Sequence, residues 1–153
     1  MTITGLQANT TYYYEVVSGP SILNNGGFYF AVTTGPTVTP PMNIVTTAGY
    51  VYRSDGFTPA WGAIVYVTLK DMDGAGSPGQ SALESCLTNS NGSWHLDLQN
   101  MRQTDLQNVF EFTADVDHIV VNVDGGAKGQ GQLETTATDN RGGSNPRPDI
   151  RLE

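Results

Sequence analysis

Gly62-Ala63-Ile64-Val65-Tyr66-Val67-Thr68-Leu69-Lys70 is the stretch that decides the fold. Its β-branched and aromatic residues suit the pleated, half-buried surface of a strand. Side chains alternate across a strand, so Ala63, Val65, Val67 and Leu69 share one face, opposite Ile64 and Tyr66. The first face is wholly aliphatic and belongs in a core. Ser93-Trp94-His95-Leu96-Asp97-Leu98 repeats the pattern, with Trp94, Leu96 and Leu98 on one face and His95 turned to solvent. Two such apolar faces make the inner layers of a β-sandwich. Asn91-Gly92 supplies a positive-φ turn in front of the second.

Further strands are predicted at Thr47–Tyr52, Ser85–Thr88, Val109–Thr113, Ile119–Val123, Leu133–Thr138 and Asp149–Leu152. Asp55-Gly56, Asp73-Gly74, Asn91-Gly92 and Asp124-Gly125-Gly126 separate several of them. Short strands at this spacing, with no sustained helical period, predict an all-β sandwich over residues 43–153. The Gly-rich tract 125–131 follows no strand-to-helix pattern, so it is not a phosphate cradle; it is expected to be a flexible hairpin loop. Upstream, three prolines in Pro36-Thr37-Val38-Thr39-Pro40-Pro41 mark residues 36–42 as an extended linker. In residues 1–35, Thr11–Val17 and Phe28–Thr34 predict two strands of a hairpin with a long loop, Tyr12, Tyr14 and Val16 sharing a face.

Two resemblances refine this picture. Gly5-Leu6-Gln7-Ala8-Asn9-Thr10-Thr11-Tyr12, followed by Val16, resembles the end of a fibronectin type III domain, although that family usually has Pro and Gly where Ala8 and Asn9 stand. The resemblance makes Tyr12 a corner tyrosine whose hydroxyl bonds to backbone just upstream, and it covers only the last strands of such a domain. Gly49-Tyr50-Val51-Tyr52, Pro59-Ala60-Trp61-Gly62-Ala63 and Thr88-Asn89-Ser90-Asn91-Gly92-Ser93-Trp94, with the closing Pro148-Asp149-Ile150-Arg151-Leu152, resemble the carboxypeptidase regulatory-like domain. That family is a transthyretin-like sandwich related in shape to the B repeats of surface adhesins. The resemblance implies a Greek-key, immunoglobulin-like arrangement, no catalysis, and an extracellular or cell-surface place in a bacterium or archaeon. The Lys of the adhesin isopeptide crosslink has no counterpart between Thr46 and Arg53, so that bond is not expected.

Composition narrows the function. The chain has 153 residues, net charge −8 and seven scattered basic residues, which exclude a nucleic-acid or anionic-membrane surface. No apolar run approaches the ~20 residues that cross a bilayer. The single cysteine, Cys86, excludes an intrachain disulfide and is expected to be a buried small hydrophobe. No signal peptide precedes the first strand-like segment, which leaves a removed leader or a segment of something longer. His95 and His118 lie in no catalytic motif, and a local hydrogen bond beside Asp117 is expected for His118. Asn9-Thr10-Thr11 and Asn91-Gly92-Ser93 match glycosylation sequons.

Three candidate sites remain. Asp71 and Asp73 begin a D-x-D-G loop, but Ala82 stands where an EF-hand needs its closing Glu. Calcium at Asp71 and Asp73 is therefore the sole cofactor the sequence suggests, with Asp115, Asp117 and Asp124 read as turn formers. If the strands around Tyr50 and Tyr66 pair, then Tyr50, Tyr52, Ile64 and Tyr66, joined by Trp61, form an outward patch for a neighbouring subunit, the upstream hairpin or a glycan. Finally, Tyr12, Tyr14, Val16, Phe28, Phe30 and Val32 make an apolar assembly hairpin. An isolated two-stranded hairpin is marginal in water, so it is expected to pair with a second copy or a neighbouring β-domain, or to fold back onto Tyr50, Tyr52 and Tyr66. The function expected is structural or adhesive; the rival is a carbohydrate-binding accessory module of a secreted hydrolase.

Overall fold

The computed structural model describes residues 3, 5–39, 45–138 and 149–153. It is all-β and divides into two compact units, Met1–Thr39 and Pro40–Glu153. Pro40 and Pro41 of the expected linker lie outside the described residues. Among the described residues no helix is long and apolar enough to cross a membrane.

In the first unit the expected strand Thr11–Val17 breaks at Glu15 into β1 (Thr11–Tyr14) and β2 (Val16–Ser18). β2 pairs with β3 (Ser21–Leu23) through the two-residue turn Gly19-Pro20, Gly19 at φ +57°. β1 pairs with β4 (Phe30–Thr33), Tyr12 opposite Val32 and Tyr14 opposite Phe30. The expected hairpin with a long loop is thus present as the shortened β1–β4 pair, and its loop holds a second ribbon, β2–β3, closed by a two-residue turn. The six assembly-hairpin residues divide accordingly. Tyr12, Tyr14, Phe30 and Val32 share the β1–β4 ribbon, with the Tyr14 and Phe30 rings 5.4 Å apart. Val16 pairs instead with Leu23, and Phe28 lies in a turn bridged to Asn25. The Gln7 N–H donates to the Tyr12 hydroxyl at 2.8 Å, the backbone bond expected of a corner tyrosine.

In the second unit β5 (Thr46–Tyr52), β6 (Ile64–Lys70), β7 (Glu84–Leu87), β8 (Ser93–Asp97), β9 (His118–Asp124), β10 (Gln130–Thr136) and β11 (Ile150–Arg151) form two sheets. One has the order β10-β9-β6-β7, the other β11-β5-β8. Their facing sides carry the core. Val65, Val67 and Leu69 of β6 and Ile119 and Val121 of β9 are fully buried, as is Val51 from β5, and Trp94 from β8 is 2 % exposed. Burying each such side chain contributes roughly 1.5–3 kcal/mol. Gly49 lies opposite Trp94, and a Cβ there would sit 3.1 Å from the indole nitrogen, so the missing side chain makes room for the ring.

The sequence blocks around Pro59, Thr88 and Gly92 meet at one end. The Thr88 hydroxyl donates to the Ala60 carbonyl at 2.6 Å and accepts from the Ala63 N–H at 2.9 Å. Gly92, at φ +80°, approaches the Val51 carbonyl so closely that a Cβ would lie 2.5 Å from it.

Two expectations fail. Val109–Thr113 is not a strand: Val109 makes an isolated bridge to Arg102, and Phe110, 1 % exposed, plugs the core from an irregular segment. The backbone there is satisfied individually, through Phe110 N–H to the Met101 carbonyl and Glu111 N–H to the Ser77 hydroxyl, rather than by a ladder. Nor is the Gly-rich tract 125–131 simply a flexible hairpin loop. It turns through a short 3₁₀ segment, Gly126–Lys128, and its other glycines seat the end of the chain. A Cβ on Gly125 would lie 2.5 Å from Leu152, one on Gly129 2.4 Å from the Glu153 carbonyl, and one on Gly131 2.7 Å from Ile150. β11 runs parallel to β5, Ile150 opposite Val51, while Glu153 and Gln130 exchange backbone hydrogen bonds at 2.8 and 3.1 Å. It thereby closes the space between β5 and β10.

Candidate functional site

The outer face of the four-stranded sheet is set by register. Tyr66, Asn122 and Gln132 stand opposite one another on β6, β9 and β10, and Ile64, Asp124 and Gln130 form the next row. Their neighbours Val65, Val121 and Val123 are buried, so alternation turns these two rows outward. β11 adds a wall. Ile150 and Leu152 are buried, which directs Arg151 and Glu153 to the opposite side. Tyr66, Asn122, Asp124, Gln130, Gln132, Arg151 and Glu153, all of these outward residues but Ile64, line a groove of about 600 Å³. The Arg151 guanidinium rests beside Gly56, where a Cβ would come within 2.8 Å of it. Asp55 shapes that loop by accepting from the Phe57 and Thr58 N–H groups at 3.0 and 2.8 Å. The Thr58 hydroxyl, with these N–H groups, holds the Asp55 carboxyl below the usual carboxylate range.

The expected aromatic patch is not continuous. β5 and β6 belong to different sheets, so Tyr50 and Tyr52 lie apart from Ile64 and Tyr66. The connection from Arg53 to Ala63 crosses between the layers rather than closing a hairpin. Tyr50 and Tyr52 stack at 6.2 Å on the outside of the three-stranded sheet. Tyr66 joins the groove. Trp61, 67 % exposed, precedes β6, and its carbonyl accepts from Lys128 Nζ in the β9–β10 connection.

Asp71 and Asp73 are brought together, and Asp117 joins them, with carboxylate oxygens of all three within 4.8 Å of one another. Asp117 is fully buried. It accepts from the Met72 N–H at 2.7 Å and the Thr113 N–H at 2.8 Å, tying two loops together. Asp71 accepts from the Gly74 N–H at 2.7 Å and Asp73 from the Ala75 N–H at 2.8 Å. Three carboxylates suit a hard cation such as calcium, which takes six to eight oxygens. The sequence reading missed the third member, because Asp117 reaches this loop only through the fold.

His118 bonds not to Asp117 but to Glu134, Nδ1 to Oε1 at 3.0 Å, and Lys70 Nζ reaches the same oxygen at 3.0 Å. His118 first, then Lys70, holds the Glu134 carboxyl below its ordinary value. His95 is exposed, as its alternation with Trp94 requires. Neither histidine, among the described residues, is hydrogen-bonded to a hydroxyl or thiol through its ring. Burial pushes the Cys86 thiol up to about 11, so at neutral pH it is a protonated, poorly nucleophilic group packed against the core. The half-buried Glu84 carboxyl is also raised, by burial and then by the nearby Asp97 charge. Compared with protein families, curated proteins and solved structures, the chain has no match in any of the three.

Proposed function

We propose that this chain is a non-catalytic structural or adhesive β-module of an extracellular or cell-surface assembly, joined to its partner through residues 1–35. The observation that carries the reading is the absence of a core in that unit. None of its described residues is buried, yet eleven large apolar side chains are exposed there, among them Tyr13 at 70 %, Leu23 at 63 %, Phe28 at 76 % and Tyr29 at 61 %. Two-stranded ribbons of this kind bury too little surface to be stable in water alone. Their backbone edges and apolar faces suit pairing with a sheet from a second copy of the chain or from an adjacent β-domain. A contact that closes gives a dimer or ring, and one that does not close propagates as a filament.

Sedimentation of the intact chain tests this, beside Phe28→Ser and a version beginning at Thr39. Self-association is expected in the intact chain at tens of micromolar, with a loss in the other two. A monomer in all three overturns the self-assembly reading.

A further inference from the structure

We propose that the groove on the outer face of the β10-β9-β6-β7 sheet is a binding site for a neutral carbohydrate chain. This goes beyond the assembly reading and does not depend on it, since all the residues that line the groove lie within the second unit.

The argument begins with unused hydrogen-bonding capacity. Among the described residues, no hydrogen bond or ion pair holds the side chains of Tyr66, Asn122, Gln130, Gln132 or Arg151. Elsewhere on the same sheet face, Lys70, His118 and Glu134 satisfy one another. The groove therefore gathers five side chains whose donors and acceptors are open to a ligand, while the Lys70, His118 and Glu134 cluster beside it is self-satisfied. Three of the five are carboxamides, each presenting two N–H donors and a carbonyl acceptor in one plane. A sugar hydroxyl is likewise donor and acceptor at once, so amides match it without a change of protonation. Arg151 offers paired donors suited to two adjacent oxygens. Asp124, whose Oδ1 already accepts from the Gly126 N–H at 2.8 Å, has a second oxygen left to accept from a hydroxyl.

The spacing fits an extended ligand rather than a single small one. Tyr66, Asn122 and Gln132 stand in one row across three adjacent strands, each strand about 4.8 Å from the next. Asn122 and Asp124, two apart on β9, are separated by about 6.6–7 Å along the strand. The result is a grid of polar contacts, open along its length, with the Tyr66 ring at one side as a surface for the C–H face of a pyranose. Trp61, exposed and tied by its carbonyl to the connection between Asp124 and Gln130, lies at the end of the strand that carries Tyr66. The aromatic stacking expected of Tyr50, Tyr52 and Tyr66 jointly thus falls to Tyr66 alone.

Charge excludes other ligands. Arg151 is opposed by Asp124 and Glu153 in the groove, and the chain carries net charge −8, so a phosphate-rich or polyanionic chain is repelled. An apolar ligand would leave the amides and the guanidinium desolvated without partners.

Affinity electrophoresis of the intact chain in gels containing xylan, mannan, mixed-linkage β-glucan, starch or dextran, beside gels containing the anionic polygalacturonate, tests the proposal, followed by calorimetry with oligosaccharides of the polymer that retards it. At least one neutral polymer should retard the protein. Tyr66→Ala and Gln132→Ala should each weaken binding at least tenfold, while Tyr50→Ala leaves it unchanged. Gln132 is exposed, so its variant stays folded even if the Tyr66 variant does not, and tryptophan fluorescence reports the fold of both. The proposal is overturned if none of the neutral polymers is bound. It is equally overturned if the Gln132 variant binds normally, or if polygalacturonate alone is bound.

Discussion

Substituting Gly131→Ala should loosen the second unit by displacing its last strand. A Cβ at Gly131 would lie 2.7 Å from Ile150 Cγ2 and 2.8 Å from the Arg151 carbonyl oxygen. Neither atom can yield cheaply. Ile150 is 3 % exposed in the core, and the Arg151 carbonyl belongs to backbone held by Leu152 N–H to the Tyr52 carbonyl at 2.9 Å. Forcing one methyl into such packing costs about 1–3 kcal/mol. Restricting the unfolded chain by replacing glycine gives back about 0.4–1 kcal/mol. The net expectation is a loss of about 1–2 kcal/mol. Both tryptophans, Trp61 and Trp94, lie in the second unit, so urea unfolding followed by their fluorescence reads that unit alone. With a slope of roughly 1–3 kcal/mol per molar, the midpoint should fall by about 0.3–2 M. Ile150→Ala alone should cost about 2–5 kcal/mol, and the double variant should cost less than the sum, because one of the two clashes is gone. A neutral or stabilising Gly131→Ala would refute the seating of β11 on the glycine tract, and with it the wall of the groove.

Trp94→Ala should cost about 3–5 kcal/mol and His95→Ala less than about 0.5 kcal/mol, since only the first empties the core; a reversal in the same urea experiment would mean that β8 is read in the wrong register. Glu84→Gln should change the pH dependence of stability. Its folded carboxyl is raised above the unfolded value, so ionisation penalises the native state. The variant should be more stable than wild type at neutral pH, and the difference should vanish as pH falls through the raised value to below the ordinary glutamate range; a difference that persists under acid would refute burial of the charge.

Much of the second unit is legible because its inner faces follow a strict period of two. Val65, Val67 and Leu69 on β6 and Trp94 on β8 announce their burial in the sequence, and the core agrees. What periodicity does not reveal is which strands pair. Tyr50, Tyr52 and Tyr66 all alternate outward, yet β5 and β6 sit in separate sheets. A tight hairpin needs two to five connecting residues, and the stretch from Arg53 to Ala63 is longer, so the crossing between layers was encoded in loop length. The first unit shows the same limit: Thr11–Val17 reads as one strand, yet it breaks at Glu15, a residue type disfavoured in strands, and the part after the break pairs back on β3 through the Gly19-Pro20 turn.

The groove was harder to read for a reason that lies in how it is made. Asn122, Gln130 and Gln132 look like the ordinary polar outer face of an antiparallel pair, and that is where the two strands put them. A flat polar face becomes a groove only when another element rises beside it, and here that element is β11. Its position depends on pairing between Ile150 and Val51 at opposite ends of the domain, and on glycines at 125, 129 and 131 that allow backbone to pass within van der Waals distance. A glycine tract has the same local signature whether it bends freely or makes room for another strand. The acidic cluster has the same origin, since Asp117 reaches Met72 only when the loops before β9 and after β6 are folded side by side. In both places the strand faces are written locally, while the site arises from contacts distant in sequence. The substitutions that test the groove therefore belong on two levels: Gln132→Ala removes a contact and leaves its shape, whereas Gly131→Ala leaves the contacts and moves the wall. A ligand held by the row across β6, β9 and β10 should respond strongly to the first. The second should weaken it only to the extent that Arg151 shares in holding it.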